Sequence, residues 1–293
     1  MKVGIIGLGL MGGSLGRALV KKTDCTVFAS DKDEEAMLKG ALLNAYHERL
    51  SRENAGELDI LVMAVLPSAM KEILDEYLPL MKSGAVITDV AGVKRPVVKL
   101  MRAYSVVYPE LAFAGGHPMA GREYSGVAHS TASLYESCTV LLVNVSASLE
   151  KLAALKDMYI RAGAEGAVLT TAEEHDRMIA YTSQLAHVVS SAYVKSPSAM
   201  KHYGYSAGSF RDMTRVARMN ANMWTELMSD NADYLADEIR GAAARLAEYA
   251  DCLEKGDTAK LNELLDSGNT VKTALEKDRQ KKLVKALSDF NEQ

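Results

Sequence analysis

Apolar residues along this chain fall first in short continuous runs and later at helical spacing. Residues 3–6, a β-branched run that ends at Gly7, predict a buried strand, and residues 11–20 predict a helix. Residues 25–29, 58–66, 85–88, 113–116 and 139–145 repeat the strand signal, and Pro67 closes the longest of them. Asp33 is placed to cap a helix running to about Lys39. Strands that alternate with helical segments predict a doubly wound parallel sheet. Near-continuous apolar strands suit such a sheet, because helices cover both of its faces. Beyond about residue 168 the strand signal stops. Leu227, Tyr234, Leu235, Ile239, Leu246, Tyr249 and Leu253 recur at helical spacing, so 223–253 reads as one long helix, and 261–287 is similar and highly charged. The expected organisation is an α/β domain over 1–168 followed by an all-α helical domain over 169–293. Amphipathic helices of this kind pack as bundles or dimer interfaces.

Composition narrows the class. A chain of 293 residues has room for about two domains. Hydrophobic residues make up 48% and charged residues 25%, which excludes disorder and collagen-like repeats. The net charge of −4 argues against a nucleic-acid surface. Cys25, Cys138 and Cys252 are far apart and form no CxxC, so neither a zinc ribbon nor a disulfide framework is expected. No apolar run is long enough to span a membrane. The first 22 residues have the early lysine and apolar stretch of a secretory signal, but their glycines recur at fixed spacing and no small-residue cleavage site precedes Lys21-Lys22. Reduced thiols in a cytoplasmic protein are therefore the expectation.

The glycines carry the first chemistry. Gly7, Gly9 and Gly12, with Leu10 and Met11 between the last two, form GxGxxG at a strand-to-helix junction. Asp31 ends the next strand. This is the context of a dinucleotide-binding, Rossmann-type site. Gly7 permits a tight turn, Gly9 lets backbone approach a pyrophosphate, and Gly12 lets helix and strand pack closely. The N–H groups at the helix start then face the phosphates. Asp31 would accept hydrogen bonds from ribose hydroxyls and repel a 2′-phosphate, which favours NAD over NADP. A structural glycine turn with Asp31 as a helix cap is the plainer alternative.

A second group of candidates lies further along. His117, in the Gly115–Gly121 segment GGHPMAG, follows a predicted strand, where open α/β sheets place their ligands. A neutral imidazole there is a competent proton acceptor. Arg211, Arg215 and Arg218 recur at three- and four-residue spacing, which on one helix would gather their charges to hold a carboxylate or phosphate, or simply make a solvated basic face. His187 stands on an otherwise apolar helix, as a satisfied core histidine would. His175 and the remaining histidines show no partner spacing, and no HExxH or carboxylate cluster suggests a metal.

With these residues placed, the sequence resembles the prephenate/arogenate dehydrogenase family of tyrosine biosynthesis. The likeness runs through GLGLMGGSLGRAL at 7–19, DVAGVK at 89–94, GGHPMAG with EYSG at 115–126, TSQLAH at 182–187, and FRDMTR to Met223-Trp224. It implies NAD-dependent oxidative decarboxylation of prephenate, or of arogenate. His117 matches the family's catalytic histidine and Arg215 its carboxylate-binding arginine. His187 matches a second histidine of the site. Trp224 matches a tryptophan lent by a neighbouring subunit, which implies a homodimer. Lys94 and Arg211 are further cations for a substrate with two carboxylates. Gly92 stands where many members have serine, and Ser125 or a water would take over that hydroxyl's contact. Gln184 stands where many have histidine, a change that bears on side-chain selectivity. Neither a regulatory module nor a chorismate mutase segment is recognisable.

Two rival readings use the same glycines. A β-hydroxyacid dehydrogenase shares the opening, but it needs a catalytic lysine on a long helix, and Lys195 beside Ser196-Pro197 is a poor candidate. A non-catalytic NAD-binding scaffold would keep the cofactor site and lose turnover.

Overall fold

The computed structural model describes residues 1–291. Its strands are β1 (Lys2–Ile6), β2 (Thr26–Ser30), β3 (Glu48–Arg49), β4 (Ile60–Met63), β5 (Val86–Asp89), β6 (Ala112–Pro118), β7 (Thr139–Asn144) and β8 (Gly166–Leu169). They form one sheet in the order β3-β2-β1-β4-β5-β6-β7-β8. The order runs outward in both directions from β1 and β4, as in a doubly wound sheet. Every pairing is parallel except β6 with β7, where His117 lies opposite Leu141. The expected all-parallel sheet thus carries one antiparallel pair. The cause is the connection: 119–138 holds only a short 3-10 turn at Val127–His129 and no crossover helix, so the chain returns alongside the strand it left.

Helices α1 (Leu10–Lys22), α2 (Glu34–Leu42), α3 (Pro67–Tyr77), α4 (Arg95–Val107) and α5 (Leu149–Ala162) alternate with the strands. Alternation along each strand divides the core. Val27, Ile60, Val62 and Ala114 pack with Leu15, Leu155 and Tyr159 on one face, and Phe28, Leu61, Ile87 and Phe113 pack with Met70 and Met101 on the other. Local signals set the helix ends. The Asp33 side chain accepts from Glu35 N at the start of α2, as its position predicts. Pro67 opens α3 rather than merely closing β4, and Pro96 sits in the first turn of α4.

After β8 the described chain is helical: α6 (Ala172–Ile179), a π-turn over Ala180–Leu185, α7 (Ala186–Val194), α8 (Gly208–Thr214), α9 (Ala221–Ser229), α10 (Ala232–Lys255) and α11 (Thr258–Asn291). The long helix expected over 223–253 is broken between α9 and α10. Asp230 caps α9, and Asn231 is fully buried with its amide bonded to Asp176 O and Gln184 Oε1. Those side-chain bonds compete with continuation of the helix. The chain forms two compact units, Met1–Leu235 and Ala236–Gln293. In the second, Gly256 (φ +65°) turns the chain between helices, and Tyr249 donates to Leu264 O. Among the described residues no helix is long and apolar enough to cross a membrane.

Two glycines of the first loop differ in what surrounds them. A Cβ on Gly12 would lie 1.9 Å from Gly7 O, whereas a Cβ on Gly9 would meet nothing within 4 Å. Gly12→Ala gains about 1 kcal/mol of helix propensity but forces strand and helix apart. A net loss of about 1–3 kcal/mol is expected in urea unfolding, with Gly9→Ala close to neutral.

Candidate active site

The glycine loop is built to receive a negatively charged ligand. Gly7 adopts φ +98°, and its N–H donates to Ser30 O, which joins the ends of β1 and β2. No side chain caps α1, so the amides of Leu10, Met11 and Gly12 lack a side-chain acceptor at the helix start. Asp31 Oδ2 accepts from Leu8 N at 2.6 Å and its Oδ1 from Asp33 N at 2.9 Å. The carboxylate is thereby fixed beside the loop with lone pairs to spare. The open space at Gly9, the uncapped amides and the fixed acid suit a pyrophosphate and an adenine ribose.

A second set of groups gathers at the ends of β5 and β6. Asp89 is fully buried. Its Oδ1 accepts from Gly116 N at 3.0 Å, and its Oδ2 accepts from Ala91 N at 2.8 Å and from the Lys94 ammonium. Lys94 is also fully buried, and burial lowers its pKa. This explains the paired glycines before His117. A Cβ on Gly115 would press on Lys94 Cδ at 3.1 Å, and one on Gly116 would strike Asp89 O at 2.5 Å. Lys94 was expected to greet a substrate carboxylate. Its charge is instead spent on Asp89 inside the protein.

His117, half-buried at the end of β6, points Nδ1 at His175 Nε2, 2.8 Å away. His175 Nδ1 in turn lies 2.7 Å from Asp176 Oδ1. Asp176 also accepts from Lys94 N at 2.7 Å, Arg95 N at 2.8 Å and Arg95 Nε at 3.2 Å. Burial opposes its charge, but the bond to His175 and the backbone N–H groups outweigh that and hold its pKa below the usual value. The pKa of His117 is pushed well down, by burial first and then by His175 and Lys94. That of His175 also falls, since burial and Lys94 outweigh the neighbouring Asp176. Both rings are therefore neutral near pH 7. Sequence spacing missed His175 and Asp176, because their partners lie 58 and about 80 residues away. The capping Thr171 and the acidic first turn of α6 were the only local signals there.

Part of the helical segment lies beside this region. A Cβ on Gly92 would stand 3.9 Å from His117 Nε2 and 3.6 Å from Leu227 Cδ1, so α9 lies beside the histidine. One turn earlier, Trp224 meets the His187 ring at a tilt of 34°, with ring centroids 4.0 Å apart. His187 Nδ1 lies 2.9 Å from Ser183 O, which makes Nδ1 the donor and leaves Nε2 as acceptor. Within one chain, Trp224 thus meets His187. Gln184 is buried, donates to Leu227 O at 2.9 Å and accepts from Asn231 Nδ2 at 2.8 Å. It anchors α9 rather than facing a ligand.

The arginines do not make one helical face. The helix α8 ends at Thr214, so Arg215 caps it and Arg218 lies beyond it. Arg215 Nη1 pairs with Glu123 Oε1 at 2.7 Å, while Arg211 is exposed on α8. Ser125 is exposed in the same 119–126 segment as Glu123.

The comparisons with known proteins agree with this layout. A model of the nucleotide-binding domain of prephenate dehydrogenase matches residues 15–168, and one of its dimerization domain matches residues 171–267. The chain belongs to the prephenate dehydrogenase family. It is 30% identical over 288 residues to a cyclohexadienyl dehydrogenase of Zymomonas mobilis, covering 94% of this chain and 96% of that one. It is 29% identical over 287 residues to a prephenate dehydrogenase of Lactococcus lactis, covering 94% and 77%. The fold is shared with prephenate dehydrogenase from A. aeolicus in complex with hydroxyphenyl propionate and NAD+, at TM-score 0.80 and 24% identity over 94% of this chain and 98% of that one. Among the described residues no group of three His, Cys, Asp or Glu side chains is arranged to hold a metal ion.

Arg95 carries much of this architecture. Besides Asp176 it reaches Asn231 Oδ1 at 2.9 Å and Asp233, and it lies 4.3 Å from the Tyr234 ring. Arg95→Ala leaves the buried Asp176 carboxylate short of a cation and should cost about 3 kcal/mol in denaturant unfolding. Asp233→Ala removes only the partner that is 60% exposed, and should cost below about 1 kcal/mol.

Proposed function

We propose that the protein converts prephenate to 4-hydroxyphenylpyruvate and CO2, with NAD+ as oxidant and His117 as the group that receives the C4 hydroxyl proton. The observation that carries this reading is His117 itself: a ring held neutral, with Nδ1 engaged behind it and Nε2 facing Gly92. A neutral Nε2 can accept a hydroxyl proton while hydride leaves the same carbon. NAD+ supplies the hydride acceptor when bound. The uncapped α1 amides and Asp31 are the groups that hold it, and the Asp31 carboxylate disfavours a 2′-phosphate.

Loss of the ring carboxylate aromatises the product, so the chemistry runs downhill once hydride and proton are placed. The chain's work is mainly positioning. Arg215 is the substrate-carboxylate group in this reading, and its pairing with Glu123 is an exposed one that a carboxylate ligand can displace at small cost. His187 and Trp224 supply an aromatic wall with an imidazole at its edge. Lys94 acts from inside the protein: its buried charge beside His117 and His175 disfavours their protonation. Two copies joined through the helical region form the working enzyme in this reading, which rests on the match to a dimerization domain.

The test is NADH absorbance with NAD+ and prephenate, run in parallel with arogenate. Faster turnover of arogenate would reassign the substrate, and Glu123 is the carboxylate that would then receive its ammonium. His117→Asn should lower kcat on the order of 10²–10⁴-fold with little change in substrate binding. In the unmutated protein kcat/KM should fall toward acid only below the ordinary histidine value of about 6.5, because burial stabilises the active neutral form. An acid limb that survives in His117→Asn would place the base elsewhere.

Cofactor choice gives a separate check. Asp31→Ser removes the charge that opposes a 2′-phosphate, so NADP+ should gain on NAD+ by at least about tenfold in kcat/KM, the equivalent of about 1.4 kcal/mol. Equal use of both cofactors by the unmutated protein would overturn the role of Asp31.

A further inference from the structure

We propose that His175 and Asp176 act as positioning residues that fix which nitrogen of His117 is bare and share the charge when it gains a proton. The inference rests on the reading of His117 as proton acceptor, and it concerns two residues that touch neither cofactor loop nor substrate wall.

The assignment of hydrogens follows from the far end of the chain of bonds. Asp176 already receives three N–H groups from Lys94 and Arg95, so it is an anionic acceptor with no proton to give. His175 Nδ1, 2.7 Å from it, must therefore carry hydrogen. A neutral His175 then has a bare Nε2, and that atom lies 2.8 Å from His117 Nδ1. His117 Nδ1 must be the donor across this gap. Its own Nε2 is left bare, on the side that faces Gly92. A carboxylate at one end thus sets the tautomer of a ring two bonds away.

The Gly92 side makes this control matter more. No side-chain atom of residue 92 reaches Nε2, and the ring is held at its Nδ1 edge by His175. His175 and Asp176 are fully buried and cannot wander, whereas a water at Gly92 could donate to or accept from either tautomer. The proton balance is simple. The C4 hydroxyl gives its proton to His117 Nε2, and the Nδ1 hydrogen of His117 moves toward or onto His175 Nε2. The positive charge is then spread over two rings against Asp176, until the proton leaves to solvent with the products. Hydride goes to NAD+ and CO2 departs from the ring.

The charged groups facing this pair are Asp89 and Lys94 from the β5 end, Arg95 from α4 and Asp176 from α6. They are unchanged in the variants used for the test. The first measurement is the imidazole 15N spectrum of the full-length protein labelled at histidine, without substrate. Signals of His117 and His175 are assigned by their loss in His117→Asn and His175→Gln. At neutral pH both should show a protonated Nδ1 and a bare Nε2. A protonated Nε2 on His117 overturns the proposal, whatever the enzyme turns over.

The second measurement is kinetic. His175→Phe removes the acceptor for His117 Nδ1, and kcat should fall about 100-fold while substrate KM moves by less than about threefold. His175→Gln can still accept that hydrogen through its amide oxygen but cannot take on charge. It should keep the His117 tautomer and lose only about tenfold. Equal losses in both variants, or no loss in His175→Phe, overturn the proposal. If His175→Phe does not fold, the spectrum of the unmutated protein and the His175→Gln rate decide alone. The expected tautomer without prephenate turnover would instead overturn the substrate assignment and leave the histidine pair standing.

Discussion

Burying a carboxylate is costly unless its lone pairs are taken up, and Asp176 draws its donors from the start of α4 and from the histidine beside it in α6. Two of these are backbone N–H groups at the start of α4, which follows β5. One is the Arg95 side chain, and one is the histidine next to it in α6. The same residue's carbonyl accepts from Asn231, where α9 gives way to α10. Removing the carboxylate would therefore strand the donors at the start of α4 and on His175 together. The consequence for function is geometric: α6 cannot slide along α4 without breaking these bonds, so His175 stays at hydrogen-bond distance from the end of β6.

The other buried charge pair, Lys94 with Asp89, works at right angles to this one. It ties the loop after β5 to the backbone of β6 at Gly116. Both pairs meet at Lys94, whose N–H serves Asp176 and whose ammonium serves Asp89. A lysine expected as a cation for the substrate is thus the joint between two buried carboxylates. Desolvation lowers its own pKa, and its field adds to burial in disfavouring protonation of the adjacent histidines.

The sheet was legible in the sequence because each strand is a local event. The β-branched run of β1, the glycines after it and Asp33 as a cap all report within a few residues. The antiparallel turn of β7 was not, since it depends on what the 119–138 connection lacks. The break at Asn231 escaped notice for a related reason. Apolar spacing continues through it, and only the side-chain amide's distant partners, Asp176 and Gln184, stop the helix. Of the candidate site, His117 and the glycine loop were visible through motif. His175 was passed over because its meaning lies entirely in a residue 58 positions away.

Gly92 shows how a single missing side chain shifts the load. With Leu227 Cδ1 3.6 Å from its Cβ position and His117 Nε2 3.9 Å away, there is room there for a small polar side chain. A hydroxyl at that place could hold the ring from its Nε2 edge, at the expense of competing for the nitrogen that takes the substrate proton in the proposed reaction. Without one, Nε2 has no intramolecular partner from residue 92, and the ring's position is determined by bonds in the protected interior. Such bonds are stronger for being shielded from water, and they leave the reactive nitrogen unencumbered. The arrangement favours a base that is held firmly and used from one side only.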